Sequence, residues 1–277
     1  MGNYLKLRDN TELYLKRDLP ENTTAIIVIN HGFAEHLNRY DYVTKILNKA
    51  NLGVYRYDLR GHGRTKSKKG YIEDFMDFVK DADEVVNLAK TENPDLPIFM
   101  LGHSMGGFIT LCYGIDKPNK LKGQIFSGAA IRRLPVVNGI KGNIVKLLGR
   151  IIPNLSIKNN LSKDLCSVKE VVDEYINDPL ILKEAKLKFY SEFLIRGTDW
   201  IEKNIEKYEY PCLITHGEKD KIVPKEVSIY LYSKISSEDK EIKIYDNLYH
   251  EILNENEKDK VLSDIINWIY ERVWKAC

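Results

Sequence analysis

Between Leu96 and Tyr113 the chain reads as an apolar strand, a sharp turn and an apolar helix, and the turn is Gly102-His103-Ser104-Met105-Gly106. A serine at the apex of so tight a turn takes a strained backbone conformation. The residues two before and two after it must then lack a Cβ. Gly102 and Gly106 meet that need, and Gly107 lets the following helix pack closely. Taken without its flanks, the pattern would suit any glycine-rich turn. The strand Leu96–Leu101 before it and the run Phe108–Tyr113 after it make it a nucleophile elbow.

The rest of the chain supplies a sheet to carry such a turn. Residues 4–8 and 12–16 alternate around Asp9-Asn10 and predict an antiparallel hairpin. Ala25–Asn30 is a continuous β-branched run, hence a strand buried on both faces. Further strands are predicted at Gly53–Asp58, Leu121–Phe126, Pro211–Thr215 and Glu241–Tyr245. Helices are predicted over Tyr40–Asn51, around Phe75–Thr91, and at the C-terminus, where Val261, Ile265, Ile269 and Val273 share a stripe. The fold class is therefore α/β: a mostly parallel sheet covered by helices on both faces. At 277 residues the chain buries a sizeable core.

One region breaks the alternation. From about Ala130 to Lys207 there are helix-like segments, prolines and asparagines but no clear strand. The expected organisation is an α/β core of residues 1–129 and 208–277 with a helical cap, 130–207, inserted. Residues 131–170 carry eight Lys or Arg against two acids. Ile140, Ile144, Leu147, Leu148 and Ile151 form a helical stripe there. The ordinary reading buries that stripe on the core. The other docks it on a lipid surface as a lid, a transient membrane contact through the cap.

Ser104 is a weak nucleophile until a base takes its proton. In chains with this elbow the partners follow in the order Ser, Asp or Glu, His, in loops after later strands. Asp220 lies just past the strand ending at Thr215, and His250 follows the strand ending at Tyr245. His250 would take the Ser104 proton and Asp220 would orient the imidazole. The oxyanion donors would be the backbone N–H groups of Met105 and, from the loop after Ala25–Asn30, Phe33. Glu218 competes with Asp220 for the acid role, and Asp246 more weakly. His31, His36, His62, His103 and His216 read as structural, with His103 expected to point away from the reacting atoms. His31 and His36 lack the supporting ligand spacing of a zinc site. No metal or cofactor is implied. Asp58-Leu-Arg-Gly-His-Gly63 reads as a supporting loop at the same sheet edge.

Composition narrows the partners. A net charge of +2 from 42 basic and 40 acidic residues leaves no footprint for nucleic acid. No apolar run approaches bilayer length, and Met1–Lys6 has no apolar signal core. Lys6 stands where a myristoylation signal wants Ser or Thr. Cys112, Cys166, Cys212 and Cys277 show no metal or disulfide spacing and read as reduced thiols. The expectation is a cytoplasmic protein, peripheral at a membrane if the lid docks, without an obligate protein partner.

With these pieces quoted, the chain resembles the monoacylglycerol lipase and lysophospholipase branch of the α/β-hydrolases, also described as serine-aminopeptidase-like. The resemblance rests on His31–His36 with Arg39-Tyr40, Asp58–Gly63, Gly102–Gly107, Phe126–Ala129, Pro153–Ser156, Tyr175–Leu180, Asp220 and Tyr249-His250. It implies hydrolysis of monoacylglycerols, with an apolar acyl tunnel under the cap and a small polar pocket for glycerol. By position, Glu35, Arg39 and Tyr175 fall near that polar end, although Glu35 and Arg39 equally suit a structural ion pair. Phe33 and Ala34 depart from the mammalian lipases of the family, which carry a small residue and a Gly there. Bacterial carboxylesterases and cinnamoyl esterases also carry His-Gly-Phe, so the aromatic ring implies a narrower acyl site.

The expected function is a serine ester hydrolase working through an acyl-enzyme, with monoacylglycerol as substrate. The rivals with the same triad are a lysophospholipase and a short-chain or aromatic carboxylesterase, and amide hydrolysis uses the same parts. A binding module on this fold is the rival of a different class.

Overall fold

The computed structural model describes residues 2–133 and 139–273. Eight strands form one sheet in the order β1-β2-β4-β3-β5-β6-β9-β10. The alternating N-terminal stretch makes the hairpin of β1 (Asn3–Lys6) and β2 (Glu12–Asp18). β2 pairs antiparallel with β4 (Leu52–Tyr57). From there every pair is parallel, through β3 (Ala25–Asn30), β5 (Ile98–His103), β6 (Gly123–Ser127), β9 (Cys212–Gly217) and β10 (Lys240–Tyr245). All residues of β3, β5 and β9 are buried, as a sheet covered on both faces requires.

The period of two along β3 divides the core. Ile26 and Val28 pack with α2 (Met76–Glu92), α3 (Met105–Asp116) and α8 (Glu226–Lys234). Ile27 and Ile29 face the other way, into α1 (Asp41–Lys49) and α9 (Lys258–Val273). The predicted C-terminal stripe is the buried face of α9: Val261, Ile265 and Ile269 are each 0% exposed.

The segment between β6 and β9 is less uniformly helical than its composition predicts. After α4 (Ile140–Ile151) comes β7 (Ser156–Lys158), which pairs antiparallel with β8 (Glu184–Lys186) across α5 (Lys169–Asn177). Then follow α6 (Leu187–Tyr190), a π-helical turn over Ser191–Gly197, and α7 (Thr198–Asn204). Three-residue strands are too short to show an alternating pattern, so the ribbon has no sequence signature. Backbone hydrogen bonds tie this segment to the core, among them Leu182 N–H to the carbonyl of Ala34 (2.9 Å), Lys186 N–H to that of Gly70 (2.7 Å) and Glu251 N–H to that of Leu165 (2.8 Å).

Most of the stripe on α4 is not buried on the core, contrary to the ordinary reading of an amphipathic helix, although its Leu148 is half-buried and the neighbouring Val145 packs on the core. Ile144, Leu147 and Ile151 are 49%, 57% and 63% exposed. The helix instead presents Gly149 to its neighbours, where an added Cβ would stand 2.6 Å from that of Ser191. Ile140, also assigned to the stripe, has its side chain outside the described residues. Ile152, Leu155 and Ile157 continue the exposed apolar surface into β7. Among the described residues no helix is long and apolar enough to cross a membrane. Cys112, Cys166 and Cys212 are buried free thiols, and Cys277 lies outside the described residues.

Candidate active site

Ser104 stands between β5 and α3 at φ 52°, ψ −114°, a region that side chains with a Cβ rarely occupy. The two glycines show why it must. A Cβ on Gly106 would stand 1.9 Å from the carbonyl oxygen of Asn30, and one on Gly102 would stand 2.3 Å from that of Gly106. Backbone meets backbone on both sides of the serine. The strained residue is held by its own peptide groups: Ser104 N–H donates to Ser127 O (2.9 Å), and Ser104 O accepts from Phe108 and Ala130 (3.1 Å each).

Asp220 lies three residues past β9 and His250 five past β10, so adjacent strands deliver both to one edge. Asp220 Oδ1 accepts the backbone N–H groups of Ile222 and Val223 at 2.8 and 2.9 Å. Oδ2 accepts Nδ1–H of His250 at 2.6 Å, which leaves His250 Nε2 as the basic nitrogen. The imidazole sits against Gly128, where a Cβ would come 3.3 Å from Nδ1. Gly128 follows Ser127, the residue hydrogen-bonded to Ser104. Ser104 Oγ makes no hydrogen bond among the described residues, a looseness common before substrate binds.

Burial alone would push His250 down, but the Asp220 carboxylate beside it carries its pKa above the ordinary histidine value. Burial would likewise raise Asp220. The His250 charge and the hydrogen bonds from His216 and His250 overcome it and hold the acid well below the usual carboxylate range. Both shifts favour the ionised aspartate and the protonated imidazole that proton transfer from a serine creates.

The loop after β3 covers the serine. A Cβ on Gly32 would stand 3.4 Å from that of Ser104. The N–H groups of Phe33 and Met105 donate to no acceptor among the described residues, and Met105 opens α3, where the helix dipole favours negative charge. Glu35 fixes this loop from beneath: its Oε1 accepts Gly32 N–H (2.5 Å) and the Tyr40 hydroxyl (2.8 Å). Arg39 bridges Glu35 Oε2 (3.0 Å) and Glu251 Oε2 (2.5 Å) and lies 5.1 Å from the centre of the Tyr175 ring. Burial works against Glu35, yet Arg39, then His103 and His31, hold it at about 2. Burial and the neighbouring Glu35 leave Glu251 raised.

The fold thus brings Ser104, Asp220 and His250 to one edge with Phe33 and Met105, and gathers Glu35, Arg39 and Tyr175 into one cluster beside them. The Glu35–Arg39 ion pair is present, and its carboxylate also braces the loop that carries Phe33. Glu218 takes no part: it accepts Asn247 N–H at 3.3 Å and pairs with Lys225 at 3.5 Å. Three residues come closer than their sequence positions suggest. His103, expected to point away, stacks 4.8 Å from the His250 ring, with Nδ1 3.1 Å from Ser127 O. Burial and the neighbouring His250 hold it at about 4, neutral at ordinary pH. Glu251 enters through Arg39, and His216 through Asp220, 3.1 Å away. The Asp58–Gly63 loop supports the site as expected: Asp58 accepts the N–H groups of Leu37 (2.8 Å) and Arg64 (2.6 Å), and Leu59 N–H donates to His31 (2.9 Å).

A model of the serine aminopeptidase family, S33, matches residues 21–257, a span that includes Ser104, Asp220 and His250. The chain belongs to that family. Within it, the monoacylglycerol lipase of Mycolicibacterium smegmatis is 34% identical over 88% of each chain. The phospholipase YtpA of Bacillus subtilis is 30% identical, covering 89% of this chain and 94% of its own. The crystal structure of the Paleococcus ferrophilus monoacylglycerol lipase superposes with a TM-score of 0.84 at 29% identity, over 94% of this chain and 99% of its own. This S33 member has the α/β-hydrolase fold and is a carboxylic ester hydrolase.

Proposed function

We propose that the chain hydrolyses monoacylglycerols to fatty acid and glycerol through an acyl-enzyme on Ser104. The observation that carries the reading is the 2.6 Å hydrogen bond from His250 to Asp220, on the sheet edge where Ser104 sits beneath two uncommitted backbone donors. His250 Nε2 takes the Ser104 proton as Oγ attacks the ester carbon, and Asp220 stabilises the imidazolium. The carbonyl oxygen gathers charge against the N–H groups of Phe33 and Met105. His250 returns the proton to the departing alkoxide, then takes one from the water that attacks the acyl carbon and gives it to Ser104 Oγ as the fatty acid leaves. Glu35, Arg39 and Tyr175 would face the glycerol end.

The likeness to lipases from two sources supports a lipid ester, and the likeness to a phospholipase makes lysophospholipid the second reading. Phe33 favours a third, short or aromatic acyl groups: its ring packs 5.3 Å from Phe189 and 5.6 Å from Tyr190, which narrows the space beside the oxyanion donors. Residues 130–207 would act as a cap over the acyl group. Its exposed Ile144, Leu147, Ile151, Ile152 and Leu155, beside Lys141 and Arg150, suit transient contact with a lipid surface.

The test is a hydrolysis panel on wild type and Ser104→Ala: a long-chain monoacylglycerol, a lysophosphatidylcholine, a short p-nitrophenyl ester, a feruloyl ester and an aminoacyl amide. Monoacylglycerol leading the panel with a dead mutant supports the proposal. Turnover of only the short or aromatic esters replaces it with the narrower site, and no turnover of the monoacylglycerol removes the proposal. Co-sedimentation with neutral and anionic liposomes tests the cap surface, and no binding to either removes the membrane contact.

A further inference from the structure

Asp220 accepts three hydrogen bonds and has a fourth polar neighbour that has no part in the scheme above. The backbone N–H groups of Ile222 and Val223 occupy Oδ1, and His250 Nδ1–H reaches Oδ2 at 2.6 Å. The same Oδ2 lies 3.1 Å from Nε2 of His216. His216 sits near the end of β9, four residues before the acid, and is 0% exposed. Its Nε2 is also 2.8 Å from the carbonyl oxygen of Val223, and its Nδ1 is 2.7 Å from Oγ of Ser228 in α8.

The protonation pattern follows from the partners. A carboxylate oxygen and a backbone carbonyl only accept, so Nε2 carries a hydrogen whatever the charge of the ring. The Ser228 hydroxyl donates to a bare Nδ1 or accepts from a protonated one, so it holds the ring in either case. A line of contacts therefore runs from Ser228 through His216 and Asp220 to His250, buried at every member. We infer that His216 is a positioning residue of the triad: its Nε2–H, held by the Val223 carbonyl, sets a positive edge 3.1 Å from Oδ2 that keeps the Asp220 carboxylate in the plane that meets His250 and shares the negative charge of Oδ2.

This rests on the reading of Ser104, Asp220 and His250 as the triad. Two effects follow from losing the donor. The carboxylate is freer to rotate, so proton transfer slows. Oδ2, no longer shared, binds the His250 proton more strongly, so the base protonates at higher pH. The other charged groups near His250 are Glu251 and Glu35, with Arg39 between them and the His103 ring alongside, and none touches His216. A merely structural histidine would affect stability and leave the pH profile in place.

The experiment compares wild type with His216→Gln, which keeps an N–H near the position of Nε2, with His216→Met, which keeps bulk without a donor, and with Ser228→Ala. Each is assayed for p-nitrophenyl butyrate hydrolysis from pH 5 to 9, with Ser104 labelling by a fluorophosphonate as the count of competent sites. The expected result for His216→Met is a kcat about tenfold or more lower at unchanged KM, with the acid limb moved up by about half a pH unit. His216→Gln restores most of kcat and the position of the limb, and Ser228→Ala falls between. Equal losses in Gln and Met, or a limb unmoved in Met, overturn the inference. Should His216→Met fail to fold, a limb unmoved in Ser228→Ala overturns it just as well. A Ser104→Ala enzyme that retains wild-type rate instead defeats the triad reading and takes this inference with it.

Discussion

Ser104 sits at φ 52°, ψ −114°, and that backbone can be made to report its own strain. Residues with a Cβ held in such sparsely populated regions cost about 1–3 kcal/mol. Glycine escapes the clash but loses more freedom on folding, about 0.5–1 kcal/mol relative to alanine. The difference favours Ser104→Gly over Ser104→Ala by roughly 1 kcal/mol, and by more if the strain lies at the upper end. Both variants remove the hydroxyl, which makes no hydrogen bond among the described residues, so the comparison isolates the backbone. The hydrogen bonds from Ser104 to Ser127, Phe108 and Ala130 remain in both. Urea unfolding of the two inactive variants gives the difference directly. In thermal scans it corresponds to about 2–4 °C in Tm for each kcal/mol in a chain of this size. An alanine variant as stable as the glycine variant would refute the argument, because the elbow would then store no strain.

The acid limb of kcat/KM should lie above pH 6.5, because Asp220 raises His250. Activity falls as pH drops through the raised His250 pKa, and Asp220→Asn should cost about three to four orders of magnitude in kcat. The same shifts act on stability. The raised His250 favours the fold below the pKa of the unfolded chain, and this contribution fades as pH rises through the folded value. The lowered Asp220 favours the fold above its unfolded pKa and loses its contribution as pH falls below it. Glu35→Leu strands Gly32 N–H, the Tyr40 hydroxyl and one side of Arg39, so chemical denaturation should show a loss of about 3–5 kcal/mol, with Glu35→Gln much milder. Gly106→Ala drives a Cβ onto Asn30 O, whose strand leads into the Phe33 loop; it should label poorly with a fluorophosphonate even where circular dichroism shows a folded chain.

The strands of the sheet were readable because burial on both faces leaves long β-branched runs such as Ala25–Asn30, and Ser104 because its glycines answer a steric demand visible in five residues. Asp220 and His250, the proposed partners of Ser104, stand out through chain order, and their mutual hydrogen bond is what the structure adds. What escaped lies in contacts made across the chain. The β7–β8 ribbon is three residues deep, below the length at which a period can be read. The apolar stripe of α4 was visible, but periodicity cannot say whether core or solvent receives it. Glu251 and His216 carry no local pattern. Their relation to the site appears once Arg39, 212 positions away, reaches Glu251, and once the turn after β9 folds Asp220 back onto its own strand. His103 lies nearer His250 than its position implies because the direction of a side chain beside an elbow depends on the next strand, where Ser127 captures its Nδ1.

The hydrogen bond from Leu182 to Ala34 joins the inserted segment to the peptide next to Phe33. A displacement of either therefore bears on the other through that bond. With Phe33 as the proposed oxyanion donor and residues 130–207 as the proposed cap, linkage requires that any pull on residues 180–186 that weakens oxyanion binding be opposed by an oxyanion mimic by the same factor. Under the proposed roles, access to the serine and stabilisation of charge beside it would then be coupled rather than independent.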